Sequence, residues 1–180
     1  RMSIREVAIR ARLYSHTLRY LKHQQITGRI LNQVRKKMGL GKPPNPPEDL
    51  DSQLPSKIPF PESVSYPLTG KDITQGRFCF LNEWCDLGQP VNWQPDMPLL
   101  WQFNLHYFDY LHLLEPREQH ALCRGWIAQN PVGLQPSWHA YPTSLRIINW
   151  SKADLQAQDV LSSLYQQAAY VYRNMETHIL

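Results

Sequence analysis

Eight side chains between Trp101 and Trp150 combine flat aromatic faces with amide, imidazole and guanidinium groups: Trp101, Asn104, His106, Trp138, Tyr141, Arg146, Asn149 and Trp150. Tyr107, Tyr110 and His139 lie among them. This mixture suits recognition of a carbohydrate. The apolar face of a sugar ring stacks on Trp or Tyr, while hydroxyls and carboxylates need fixed donors and acceptors. It describes a binding surface before it describes an enzyme.

Spacing limits how many of these groups can act together. Asn104 and His106 are two apart, so one helix cannot present both on the same face, whereas Arg146, Asn149 and Trp150 recur at three and four and can share one. Each residue also has a structural reading. His106 is either a substrate-facing imidazole or one satisfied by a local partner. Tyr107 and Tyr110 read as packing ahead of chemistry. Arg146 with Asn149 suits a glycan carboxylate, or else Arg146 bridges two helix ends. Trp138 and Tyr141 fall in an aromatic loop before a helix, where binding groups are commonly carried. Asp109, Asp154 and Asp159 form no carboxylate pair of the hydrolase kind. No nucleophile elbow, phosphate loop or metal-ligand spacing occurs, and no metal or cofactor is expected.

The elements that must hold these residues are mostly helical. Residues 3–37 carry an apolar stripe through Ile4, Val7, Ala8, Ala11, Tyr14, Leu18 and Leu21, interrupted at Gly28. From Lys42 to about Thr74 repeated prolines exclude helix and central strand. Arg77–Leu81 and Val91–Trp93 read as two short strands of a hairpin, turning around Asp86–Pro90. Helices are then expected over Trp101–Leu114, Glu118–Gln129 and Thr143–Trp150, the last capped by Thr143, and from Asp154 to Leu180. The division is therefore a basic helical arm (1–41), a proline-rich connection (42–75), and a hairpin with paired helices (76–180).

Charge is divided along the chain. Residues 1–42 hold eleven Lys or Arg against the single acid Glu6, a net of +10, while the remainder holds 8 basic and 14 acidic side chains, a net of −6. The arm thus either contacts a membrane surface or acidic polymer, or is a solvated helix face. Nucleic-acid-binding signatures are absent from the sequence. Cys79, Cys85 and Cys123 match no zinc or redox spacing, and three thiols cannot all pair within one chain. Free thiols and the arginine-rich start, which lacks a secretory apolar region, point to the cytoplasm, whereas a single Cys79–Cys85 bridge would suit a periplasmic protein. Arg1 ahead of Met2 fits either a cloning remnant or a start inside a longer chain.

Several segments together resemble one family. Phe80-Leu81-Asn82, Trp93, the run LWQFNLHYFDYL (Leu100–Leu111) and W-x-x-Y-P-x-S-L-R-I-x-N-W (Trp138–Trp150) are similar to the N-terminal part of heparinase II/III-type polysaccharide lyases, in the branch linked to bacterial surface polysaccharides. The resemblance implies the start of an incomplete α/α toroid of helical hairpins, with further toroid helices and β-sandwich domains as the chain's own partners. It also implies a cell-envelope or periplasmic setting and an acidic, uronate-containing polysaccharide as substrate. In that chemistry an Asn neutralises the uronate carboxylate while Tyr or His groups remove the C5 proton and protonate the C4 leaving oxygen. The Asn-bearing segment of the family would follow Thr177-His178-Ile179-Leu180, so the catalytic residues are expected C-terminal to Leu180. The 180 residues alone are expected to be inactive. The alternative is a non-catalytic glycan-binding or assembly module in surface-polysaccharide export.

Overall fold

A computed structural model describes residues 27, 28, 31, 34, 38, 43–47, 67–153 and 155–174. The chain separates into two compact units, 1–41 with 174–180, and 42–173. Most of the arm expected to be helical, the connection over 48–66, Asp154 and the end beyond 174 lie outside the described residues. Thr27, Gly28, Leu31 and Val34 have helical backbone, and residues 43–47 carry no regular structure.

The described residues of the second unit are mostly helical with one antiparallel hairpin. Its elements are α1 (Gly70–Thr74), β1 (Arg77–Phe80), β2 (Glu83–Asp86), α2 (Leu99–Tyr107), a 3₁₀ segment (Asp109–Leu113), α3 (Pro116–Gln129), α4 (Ala140–Lys152) and α5 (Gln158–Asn174). Among the described residues no helix is long and apolar enough to cross a membrane. The short α1 corrects the expectation that prolines exclude helix as far as Thr74. Thr69 caps it by accepting from the Asp72 N–H, and Asp72 in turn ion-pairs with Arg77.

The hairpin forms, but with a different second strand. Phe80 pairs with Glu83 and Arg77 with Asp86, so the turn is Leu81-Asn82, both with positive φ (55° and 62°). Such a pair is the two-residue hairpin turn that Asn favours and Leu rarely adopts. Val91–Trp93 is loop, not strand. Gly76 (φ +77°) lies where the backbone before β1 meets the loop after β2; a Cβ there would lie 2.1 Å from the Gly88 carbonyl oxygen. That approach admits only glycine.

The first long helix also stops early. Phe108 takes the left-handed conformation (φ 59°), ending α2 at Tyr107 and starting the 3₁₀ segment. A non-glycine residue there costs about 1–2 kcal/mol, and full burial of a Phe returns about 1.5–3 kcal/mol. Phe108 is fully buried, stacked on Trp93 and edge-on to Trp126 and Trp150. Burial therefore overrides the helical periodicity that runs on to Leu114. In α4 the cap is His139 rather than Thr143. Its Nδ1 accepts from the Tyr141 N–H, and Pro142 sits in the first turn, where no amide donor is required. Helix α3 begins at Pro116 for the same reason, and the Asn130 side chain ends it by donating to the Trp126 carbonyl. In α5, Val160, Leu161 and Leu164 are buried as expected, while Ala168 and Tyr172 face solvent. Of the residues assigned to its apolar side, Met175 lies outside the described residues.

Candidate functional site

The eight candidates divide into a buried set and a surface set. Trp101, His106, Arg146 and Trp150 are fully buried and Trp138 nearly so. Trp101 donates its indole N–H to the Glu83 carbonyl, and Trp138 donates to the Asn130 carbonyl. The rings of Trp126 and Trp150 meet edge to face at 5.6 Å between centroids, and Trp126 lies 5.9 Å from Trp138. These residues were expected to offer stacking faces or ligands to a glycan. They instead form the aromatic centre of the core, because aromatic edges and faces are already saturated by one another.

Arg146 sits in that centre, 0 % exposed. Its guanidinium stacks 3.8 Å above the Trp126 ring. Nε donates to Gln167 Oε1 at 2.8 Å, one terminal nitrogen to the Ser137 and His106 carbonyls at 2.9 and 3.3 Å, and the other to Thr143 Oγ1 at 3.3 Å. One side chain thus ties together α2, the loop before α4, α4 itself and α5. Burial pulls its pKa down to about 9, with Cys123 and Tyr110 acting the other way, so it stays charged at neutral pH. This is the helix-bridging reading of Arg146, and the carboxylate-binding reading does not fit a guanidinium with no route to solvent.

His106 is likewise internal. Trp126 donates its indole N–H to His106 Nδ1 at 3.1 Å, which leaves the imidazole proton on Nε2, a buried atom without a partner. Burial, then the Arg146 charge, lower its pKa to about 3. A neutral, enclosed imidazole of this kind cannot take a substrate proton at neutral pH.

What reaches the surface is a ledge formed where α4 packs on α2. Tyr141, 55 % exposed, stands edge-on to Tyr107 with ring centroids 5.7 Å apart. Asn149 donates its amide to the Tyr107 carbonyl at 2.9 Å and Asn104 donates to the Leu100 carbonyl at 2.7 Å, leaving each Oδ1 as an acceptor. The His139 ring lies 4.9 Å from Phe103. Exposed Leu99 and Leu100 on α2 and Ile148 on α4 add apolar area. Burial first, then the Tyr141 phenol and the Asp109 carboxylate, push Tyr107 up to about 12. It is a phenol at neutral pH and can donate a hydrogen bond, but it is no phenolate base. Phe103 was not singled out from the sequence, although it lies one helical turn before Tyr107. Trp126, the hub beneath, shows no motif that would have found it.

Tyr110 is fully buried and donates to the Leu105 carbonyl, in keeping with packing. The thiols of Cys79, Cys85 and Cys123 are free. Among the described residues no group of three or more His, Cys, Asp or Glu is arranged to hold a metal ion. No protein-family profile, curated protein or solved structure matches the chain.

Proposed function

We propose that this chain is the front, helical part of a heparinase II/III-type glycan-processing protein, and that its described residues bind an acidic polysaccharide rather than cleave it. In this reading the hairpin and helices begin an α/α toroid, and the acid and base of a β-elimination come from elsewhere in the protein. The observation that carries the binding role is the ledge: an exposed Tyr141 braced by Tyr107, whose carbonyl in turn accepts from the Asn149 amide. Tyrosine offers a sugar ring a flat apolar face, and the Asn oxygens accept from its hydroxyls.

Binding is favoured over catalysis by the state of the titratable groups. His106 is neutral and enclosed, Tyr107 holds its proton, and the Arg146 charge is spent inside the core. None can remove a C5 proton or neutralise a uronate. Arg146 serves as a positioning residue, holding α4, which carries Tyr141 and Asn149, against α2. Titration of the protein with alginate, hyaluronan and heparan sulfate oligosaccharides tests this reading. Saturable binding lost in Tyr141→Ala, with no rise in unsaturated-uronate absorbance, is expected. Binding that Tyr141→Ala leaves intact would overturn it.

A further inference from the structure

The helices that form the ledge bring no positive charge to Tyr141. Helix α2 contains no Lys or Arg, and α4 contains only Arg146 and Lys152. Arg146 is fully buried, with its nitrogens on protein acceptors. Lys152 lies in the last turn of α4, eleven residues and about 16 Å along the axis from Tyr141. The two exposed side chains of α4, Tyr141 and Ile148, are both uncharged and, seven residues apart, lie on one face of the helix. His139, at the start of α4, packs on Phe103 and accepts the Tyr141 N–H at Nδ1. The charge that does act here is negative. Asp109 follows Tyr107 by two residues, and its carboxylate adds to burial and to the Tyr141 phenol in raising the Tyr107 pKa, with no cation acting the other way.

We infer that the sugar seated on Tyr141 is an uncharged one, an N-acetylhexosamine or a neutral hexose, in a polymer where it alternates with uronate. This rests on the glycan-binding reading above and names the sugar that the ledge selects. A neutral pyranose sets its C–H face on the phenol ring and keeps its hydroxyls at the rim, in water. A uronate in the same place brings a carboxylate up to the ring, whose face carries negative charge density. It also brings that carboxylate towards Asp109, with no guanidinium or ammonium beside it to offset the repulsion. The uronates of an alternating polymer stand outside this position and stay hydrated, whereas a polymer made only of uronates has no sugar that fits it.

Three probes separate the sugars: a hyaluronan hexasaccharide (alternating), an alginate hexasaccharide (uronate only) and tetra-N-acetylchitotetraose (neutral only). Each is titrated into the ¹⁵N-labelled protein while the Phe103, Tyr107 and Tyr141 amides are followed, in wild type and in Tyr141→Ala. Hyaluronan and chitotetraose are expected to give saturable shifts that Tyr141→Ala abolishes, with alginate weaker by at least about tenfold. Because no ion pair forms at Tyr141, the hyaluronan affinity should change by less than about twofold between roughly 0.02 and 0.3 M sodium chloride. Three results would each overturn the inference while leaving glycan binding at the ledge intact. They are alginate binding through Tyr141 as tightly as hyaluronan, hyaluronan shifting the ledge when chitotetraose does not, and a loss of hyaluronan affinity beyond about fivefold over that salt range. If none of the three sugars shifts the ledge, the glycan-binding reading itself falls, and this inference with it.

Discussion

Replacing Arg146 with Met should destabilise the protein by about 3–5 kcal/mol, the usual consequence of removing one member of a buried charged network. The figure follows from the contacts. Without the guanidinium, the His106 and Ser137 carbonyls and Gln167 Oε1 lose their Arg donor inside the core, at about 1–3 kcal/mol for each buried group left unsatisfied. Relief from burying the charge offsets part of that loss, and Met conserves much of the apolar stem that packs on Trp126. For a chain of this size 1 kcal/mol corresponds to about 2–4 °C, so thermal unfolding should shift down by about 6–20 °C. The assay is thermal melting followed by near- and far-ultraviolet circular dichroism, with urea titration for the free energy. A substrate-binding arginine at an open cleft would behave oppositely, keeping its melting temperature and losing only affinity. A shift smaller than about 3 °C would refute the internal-clamp account.

Other consequences can be checked in the same way. The His106 pKa near 3 lies below its unfolded value of about 6.5, so the unfolded state takes up the proton first. Stability should be full above pH 6.5 and fall by up to about 1.4 kcal/mol per pH unit as the pH drops towards 3; His106→Asn, which keeps an acceptor for Trp126, should flatten that slope in urea titrations. Gly76→Ala should lose at least about 2 kcal/mol, since the Cβ meets backbone and the φ is strained; a melting temperature equal to wild type would contradict the close approach to Gly88. Tyr141→Ala, on the surface, should change stability by less than about 1 kcal/mol, and Asn149→Ala, which frees the Tyr107 carbonyl, should cost about 0.5–1.5 kcal/mol, while each weakens glycan binding several-fold.

The sequence made the helical character of the second half legible, because Pro116, Asn130-Pro131 and the apolar spacing of Val160, Leu161 and Leu164 are local signals. The hairpin was legible only in its first strand. Its turn uses Leu81-Asn82 without a glycine, so the register could not be read, and the loop around Asp86–Pro90 attracted the turn assignment instead. Phe108 is a similar case: nothing local marks a left-handed phenylalanine, since its cause is burial against Trp93 and Trp150, distant in sequence. The candidate site suffered most. Residue type shows that Trp101, Trp138, Arg146 and Trp150 are capable of holding a sugar, but not whether they face a ligand or each other. An aromatic core with an internal guanidinium has the same composition as a glycan cleft. Tyr141, Asn104 and Asn149 differ from the buried set only in their angular position on α2 and α4, which is set by how those helices pack.

The most direct test of the central claim maps where an acidic oligosaccharide touches the protein. The ¹⁵N-labelled chain is titrated with a uronate-containing hexasaccharide, and amide shifts are followed residue by residue. The account predicts saturable shifts clustered at Phe103, Asn104, Tyr107, His139, Tyr141 and Asn149, all lost in Tyr141→Ala. Shifts confined to other regions, or none at saturating sugar, would contradict it.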